Sequence, residues 1–257
     1  MNILAEIVEK LKPRLENRKR MLPMEMLAEQ AVKVPARPKF AAAFRGDGLH
    51  VIAELKKASP SKGLIRSNFD VQSLSAELAE NGATALSVLT EPNYFLGSEE
   101  NLSIVAKTVS IPLLRKDFIF DEYQILEAKA LGASCVLLIA AMLSAERFVQ
   151  LLEYAHAQGL DVLGEAHTED ELETAIKADL VGVNARDLRT FGTSLERSAE
   201  LIRTLPHNTI SIAESAVRSR ADMDMMVAAG AKGFLIGETL MRAEHPGLKL
   251  KELLSCC

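Results

Sequence analysis

Several charged side chains in this chain of 257 residues stand where chemistry could be done. In VIAELKKASP, Glu54 and Lys56 are two apart behind an apolar run, so they share one face of an extended segment. In PLLRKDF, Lys116 follows Leu114 on its face. DVLGEA ends in Glu165, LVGVNAR in Asn184 and Arg186, and SIAES in Glu214 and Ser215. Any one of these charges reads as a solvated loop entry. Together they form a rim of alternating lysines and carboxylates. Buried charge is costly unless paired, so such a rim predicts a preorganised polar site, with Lys56, Lys116 and Glu165 doing the chemistry.

The elements that must position them follow from periodicity. Short β-rich apolar runs lie at His50–Lys57, Ala85–Thr90, Pro112–Phe118, Ser134–Ala140, Asp161–Ala166, Leu180–Arg186, Thr209–Ser215 and Gly233–Gly237. Their starts are roughly 20 to 35 residues apart, the size of a compact βα unit. Helical segments lie between them, as at Asp70–Asn81, with Asp70 a candidate N-cap and Asn81-Gly82 a stop. Gly132, Gly159 and Gly230 are similar stops. Eight strands alternating with helices predict an α/β fold, a (β/α)8 TIM barrel, whose active site sits at the C-terminal ends of its strands. A doubly wound open sheet would place a glycine-rich turn after its first strand, where this chain has KKASPSKG. The expected organisation is one barrel domain over 1–257, with residues 1–48 as an N-terminal helical extension. Two helical stretches are expected there, near Ile3–Arg20 and Met24–Ala31, either plugging the barrel floor or forming a flap over its mouth.

The last two strand ends carry a second signal. AESAV and LIGETL stand where many barrels bind phosphate through backbone N–H groups and a short helix N-terminus, and Gly237 permits close approach of backbone. With Lys56 and Ser59 across the rim, a phosphorylated small molecule is the expected ligand.

Composition narrows the partners. Hydrophobic residues make up 48% and charged residues 25%, and 30 basic against 35 acidic residues leave a net charge of -5 with no concentrated basic footprint. Nucleic acid is therefore not expected as a partner. The cluster Arg14, Arg18, Lys19 and Arg20 reads as a solvated helix face. The N-terminal stretch lacks the continuous apolar run of a membrane span or signal peptide, so a cytoplasmic protein is expected. Cys135 reads as a small core residue, and Cys256 and Cys257 as a tail. His50, His156, His167, His207 and His245 show no convergent ligand spacing and read mostly as surface positions, so no metal is expected.

ELKKASPSKG, TEPNYFLGS, LLRKDFI, LGEAHTEDEL, VGVNARDL, IAESAV and FLIGETLMR, in this order, closely resemble the indole-3-glycerol phosphate synthase family of tryptophan biosynthesis, over essentially the whole chain. The stand-alone form is the one resembled. The resemblance implies a carboxy-lyase that closes the ring of 1-(2-carboxyphenylamino)-1-deoxyribulose 5-phosphate and releases carbon dioxide and water. It implies Lys116 as principal general acid, Lys56 as an acid in dehydration, and Glu165 and Glu54 as proton acceptors or partners of the lysines. Asn184, Arg186, Ser59, Glu214 and Ser215 match substrate-positioning residues, and Phe95, Phe118 and Leu137 match the apolar surround of the anthranilate ring. Phosphate would rest on backbone near Ala216, Gly237 and Glu238. The family usually has glycine where this chain has Ala216, which would strain the backbone if φ there is positive. No cofactor is implied, since the substrate's own carbonyl is the electron sink. The expected partner is a small phosphorylated aromatic substrate, acted on by a monomer. Two other readings stand beside this one. The first is another phosphate-binding barrel enzyme, such as phosphoribosylanthranilate isomerase, although its Cys/Asp pair lacks a cysteine at the first strand end here. The second is a non-catalytic barrel that binds a phosphorylated metabolite.

Overall fold

The computed structural model describes residues 3–186 and 192–255. Its centre is a closed barrel of eight parallel strands: β1 (His50–Leu55), β2 (Ala85–Leu89), β3 (Leu113–Lys116), β4 (Cys135–Ile139), β5 (Asp161–Ala166), β6 (Leu180–Asn184), β7 (Ser211–Glu214) and β8 (Gly233–Ile236). Each pairs with its neighbours in chain order, and β8 closes on β1 through His50 opposite Gly233. The predicted runs find all eight strands but mostly overrun them. Lys56, Arg186, Ser215 and Gly237 lie past the last paired residue, where the chain leaves the ladder for the rim.

Alternation of side chains sorts the strands into two cores. Val51, Ala53 and Leu55 face the surrounding helices. Ile52, Leu114, Leu137 and Leu163 fill the barrel interior, so Glu54, Lys116 and Glu165 rise on that same inner face. The helices are held by local signals that the sequence announces. Asp70 caps α3 (Val71–Glu80), its carboxylate accepting from the N–H groups of Gln72 and Ser73, and Gly82 follows with φ 99°. Ser219 and Asp222 form a capping box on α9 (Arg220–Ala229), which stops at Gly230 with φ 111°.

The N-terminal extension does both things that its sequence allowed. A single 3-10 turn, Ala41–Phe44, plugs the floor: the Ala41 N–H donates to Asp161 Oδ2 at 2.9 Å, and Phe44 packs where a side chain on Gly233 would stand. Helix α1 (Ile3–Met21) instead lies over the mouth and presents Leu4 and Ile7 to the interior. Helix α2 (Met24–Lys33) packs Leu27 and Ala31 against Tyr123 and Leu126 of α5 (Glu122–Ala130). The basic cluster on α1 is not a merely solvated face. Arg14 and Arg18 pair with Glu99 at 2.9 and 2.8 Å, Arg18 also reaches Glu127 at 2.9 Å, and Lys19 reaches Asp121 at 2.7 Å. Arg20 alone of the four fits the solvated reading.

Cys135 is buried at the start of β4, while Cys256, Cys257 and the last two residues of VGVNARDL lie outside the described residues. Among the described residues no helix is long and apolar enough to cross a membrane.

Candidate active site

At the C-terminal rim a cavity of about 460 Å³ opens into the barrel, and every predicted site residue lines it. Glu54 and Lys56, two apart on the inner face of β1, form an ion pair with the carboxylate buried. Room for that carboxylate comes from Gly237 after β8, because a Cβ there would run into it. The same device recurs at Gly182 of β6, where a Cβ would strike the carboxylate of Glu214. Glycine within β6 and just after β8 thus makes space for buried acids on neighbouring strands.

Lys116 lies at the centre. Its Nζ is 3.0 Å from Glu165 Oε2 and 4.0 Å from Glu214 Oε2. Burial works against its charge, but Glu165, Glu214 and Glu54 outweigh burial and hold the ammonium more firmly protonated than a free lysine. Glu165 is pulled well below the usual carboxylate range. Burial opposes this, and the charges of Lys116 and His167 overcome it. Glu214 moves the other way, driven up by its own burial and by the charge of Glu165. Two like carboxylates so close disfavour each other's charge, and the penalty falls on Glu214, which stands farther from Lys116 than Glu165 does. The Asn184 amide donates to Glu165 Oε1 at 3.1 Å, while its Oδ1 accepts from the Arg186 N–H at 3.0 Å.

One member of this group escaped the sequence reading. His167 is one of five histidines read mostly as surface positions, yet its side chain is only 9% exposed and sits against Glu165 at the rim. Its Nε2 is 3.3 Å from Glu165 Oε1 and its Nδ1 is 3.2 Å from Glu171 Oε2. His156, His207 and His245 are exposed as expected, and His50 is half-buried. The signal was present in GEAH, since Glu165 and His167 share a face by the same spacing as Glu54 and Lys56. A histidine two residues past a strand end is ordinarily solvated, and only the return of α7 (Glu169–Ala175) with Glu171 encloses it.

The walls differ in character. Phe95 and Phe118 stand 6.1 Å apart with rings inclined at 42°, beside Leu137, under a roof of Leu4 and Ile7. Opposite, Ser215 and Ala216 follow β7 with φ of 66° and 62°, and Gly237 leads into the short helix α10 (Glu238–Arg242). Ala216 therefore does occupy the left-handed region. The Glu238 side chain is turned to Arg242 at 2.9 Å and lies 3.8 Å from Lys62. Ser59 enters from a small hairpin that pairs 58–59 with 63–64. Lys62, Arg218 and Arg242 add positive charge to this side of the cavity, and the sequence reading did not include them. They lie on loop and helix positions with no strand periodicity to mark them.

A family model described as "Indole-3-glycerol phosphate synthase" matches residues 4–253. The indole-3-glycerol phosphate synthase of Campylobacter jejuni subsp. jejuni (strain 81-176) is 46% identical over 257 residues, covering 98% of this chain and 100% of that protein. The protein of the same name from Koribacter versatilis (strain Ellin345) is 52% identical over 209 residues, 80% of each chain. Among solved structures, a variant tryptophan synthase alpha-subunit from Pyrococcus furiosus matches with a TM-score of 0.62 at 15% identity, over 80% of this chain and 97% of its own. That last likeness is one of fold.

Proposed function

The chain belongs to the indole-3-glycerol phosphate synthase family, and from that premise we propose that it converts 1-(2-carboxyphenylamino)-1-deoxyribulose 5-phosphate to indole-3-glycerol phosphate. The ring carbon bearing the carboxylate attacks the ketone carbon, and the ketone oxygen takes a proton. Carbon dioxide then leaves, its bonding pair restoring the aromatic ring. Loss of the new hydroxyl as water, with a proton from the neighbouring methylene, completes the indole.

Each step has a candidate group in the cavity. Lys116 is the donor for the ketone oxygen, being a buried ammonium held charged by carboxylates. Lys56, paired with Glu54 and just past the end of β1, lines the same cavity and is the candidate to protonate the departing hydroxyl. Glu165, kept ionised, and Glu54 are the acceptors for the proton that is lost. Glu214, its charge disfavoured by burial and by Glu165, is a second carboxyl 4.0 Å from Lys116. Phe95, Phe118 and Leu137 make the apolar wall suited to the anthranilate ring. Ser215, Ala216, Gly237 and Glu238 offer the backbone side suited to phosphate, and Asn184, Arg186 and Ser59 position the remainder. The observation that carries the reading is the Lys116 ammonium, 3.0 Å from Glu165 between these two walls. Action as a monomer in the cytoplasm belongs to the same proposal, and light scattering of the purified protein tests the oligomeric part.

The test is incubation of the purified protein with that substrate, followed by indole fluorescence. Lys116→Met should lower kcat by about a hundred- to ten-thousandfold with KM little changed, the mark of an interaction made in the transition state. A folded Lys116→Met variant of near-normal turnover would remove Lys116 from the mechanism.

A further inference from the structure

We propose that His167 is a positioning residue for Glu165, bridging it to Glu171 as a doubly protonated imidazolium that keeps Glu165 ionised while Lys116 delivers its proton. Its kinetic half rests on the activity proposed above, and its structural half does not.

The geometry sets negative charge on both sides of the ring. Both ring nitrogens of His167 face carboxylate oxygens, Nε2 toward Glu165 Oε1 at 3.3 Å and Nδ1 toward Glu171 Oε2 at 3.2 Å. Nδ1 is hydrogen-bonded to Glu171, whereas Nε2 is buried with no hydrogen bond and meets Glu165 only as an ion pair, so a neutral ring would leave the Glu165 side without a compensating charge. With both nitrogens protonated, Glu171 accepts a hydrogen bond from Nδ1 and Glu165 faces a positive charge at 3.3 Å. Glu171 is also fixed from a second direction, because the His167 backbone N–H donates to Glu171 Oε2 at 2.6 Å. The charged groups facing the ring are Glu165 from β5 and Glu171 from α7. Beyond Glu165 stand Lys116 of β3 and Glu214 of β7. Burial opposes charge on the ring, but hydrogen bonding and charge from Glu165 and Glu171 outweigh it and push the imidazole up to about 10.

Counting charge across the buried set shows what the ring does. Lys56, Lys116 and His167 are each paired with a carboxylate, Lys56 with Glu54, Lys116 with Glu165, and His167 with both Glu165 and Glu171. When Lys116 gives its proton to the ketone oxygen, Glu165 loses the charge on its Oε2 side. The imidazolium on the Oε1 side, with the Asn184 amide at 3.1 Å, is what remains to hold it as a carboxylate. Without that cation Glu165 becomes the more basic group and competes for the proton that Lys116 has to deliver.

Two measurements decide the matter. Ring 15N and 13C shifts of His167 in the wild-type protein at pH 8 should report the imidazolium, and a neutral ring at that pH overturns the proposal whatever the turnover. His167→Gln, checked for folding by circular dichroism, should lower kcat by about ten- to a hundredfold with KM nearly kept. The acidic limb of its kcat profile should move up by about one pH unit or more, which a merely structural role would not produce. A folded variant with kcat within about twofold of wild type and an unmoved limb overturns the proposal. Wild-type protein without turnover would contradict the proposed reaction instead, and the ring shifts would still decide the protonation of His167.

Discussion

The Ala216 backbone bends through φ 62° immediately after Ser215 at 66°, so two non-glycine residues in a row occupy the left-handed region beside the proposed phosphate. A β-carbon costs about 1–2 kcal/mol in that conformation, partly offset because glycine loses more chain entropy on folding. Ala216→Gly is therefore expected to stabilise the fold by about 0.5–1 kcal/mol, read as a higher urea midpoint. A lower midpoint would show that the turn carries no strain at this residue. The sequence raised this question and could not answer it, because φ is set by how the chain leaves β7. Residue types did reveal the lysines and acids of the rim, since charges at the ends of apolar runs break the pattern. Phe95, Phe118 and Leu137 do not break it; they read as core until the cavity beside them is seen. His167 was lost for a related reason, its partner Glu171 arriving from the next helix.

The elements divide the work between rigid support and cover. Barrel strands hold Glu54, Lys116, Glu165 and Glu214 from paired backbone. Cover comes from α1, tied down at its far end by a chain of ions: Arg18 to Glu127 at 2.9 Å, then Glu127 to the wholly buried Arg115 at 2.8 Å, next to Lys116 in β3. Its first turns bring Ile3, Leu4 and Ile7 to the cavity. Removing residues 1–8 should therefore raise KM by about tenfold or more through lost apolar burial, while the unfolding midpoint moves little. An equal loss of stability with unchanged KM would make α1 a structural brace. The helical pattern of α1 was plain in the sequence, as Leu4, Ile7, Leu11 and Leu15 fall at helical spacing. Which end of the barrel it covers was not, because amphipathicity fixes a buried face without naming its neighbour.

Across the whole molecule, eight apolar runs at regular spacing were enough to read a closed barrel, because parallel strands joined by helices have few other ways to bury both faces. Strand ends were less legible, since the residues that leave the ladder are the ones turned toward the cavity. The closed ring sets the pairing of strands, brings Glu54 of β1 beside Gly237 after β8, and thereby completes a site whose parts lie nearly two hundred residues apart. The central claim is that this site joins ring closure to decarboxylation and dehydration in one active centre. The most direct test supplies the purified protein with 1-(2-carboxyphenylamino)-1-deoxyribulose 5-phosphate and follows carbon dioxide and indole fluorescence together. Release of the two in equal amounts is the predicted result. Carbon dioxide without indole, or neither from folded protein, would contradict it.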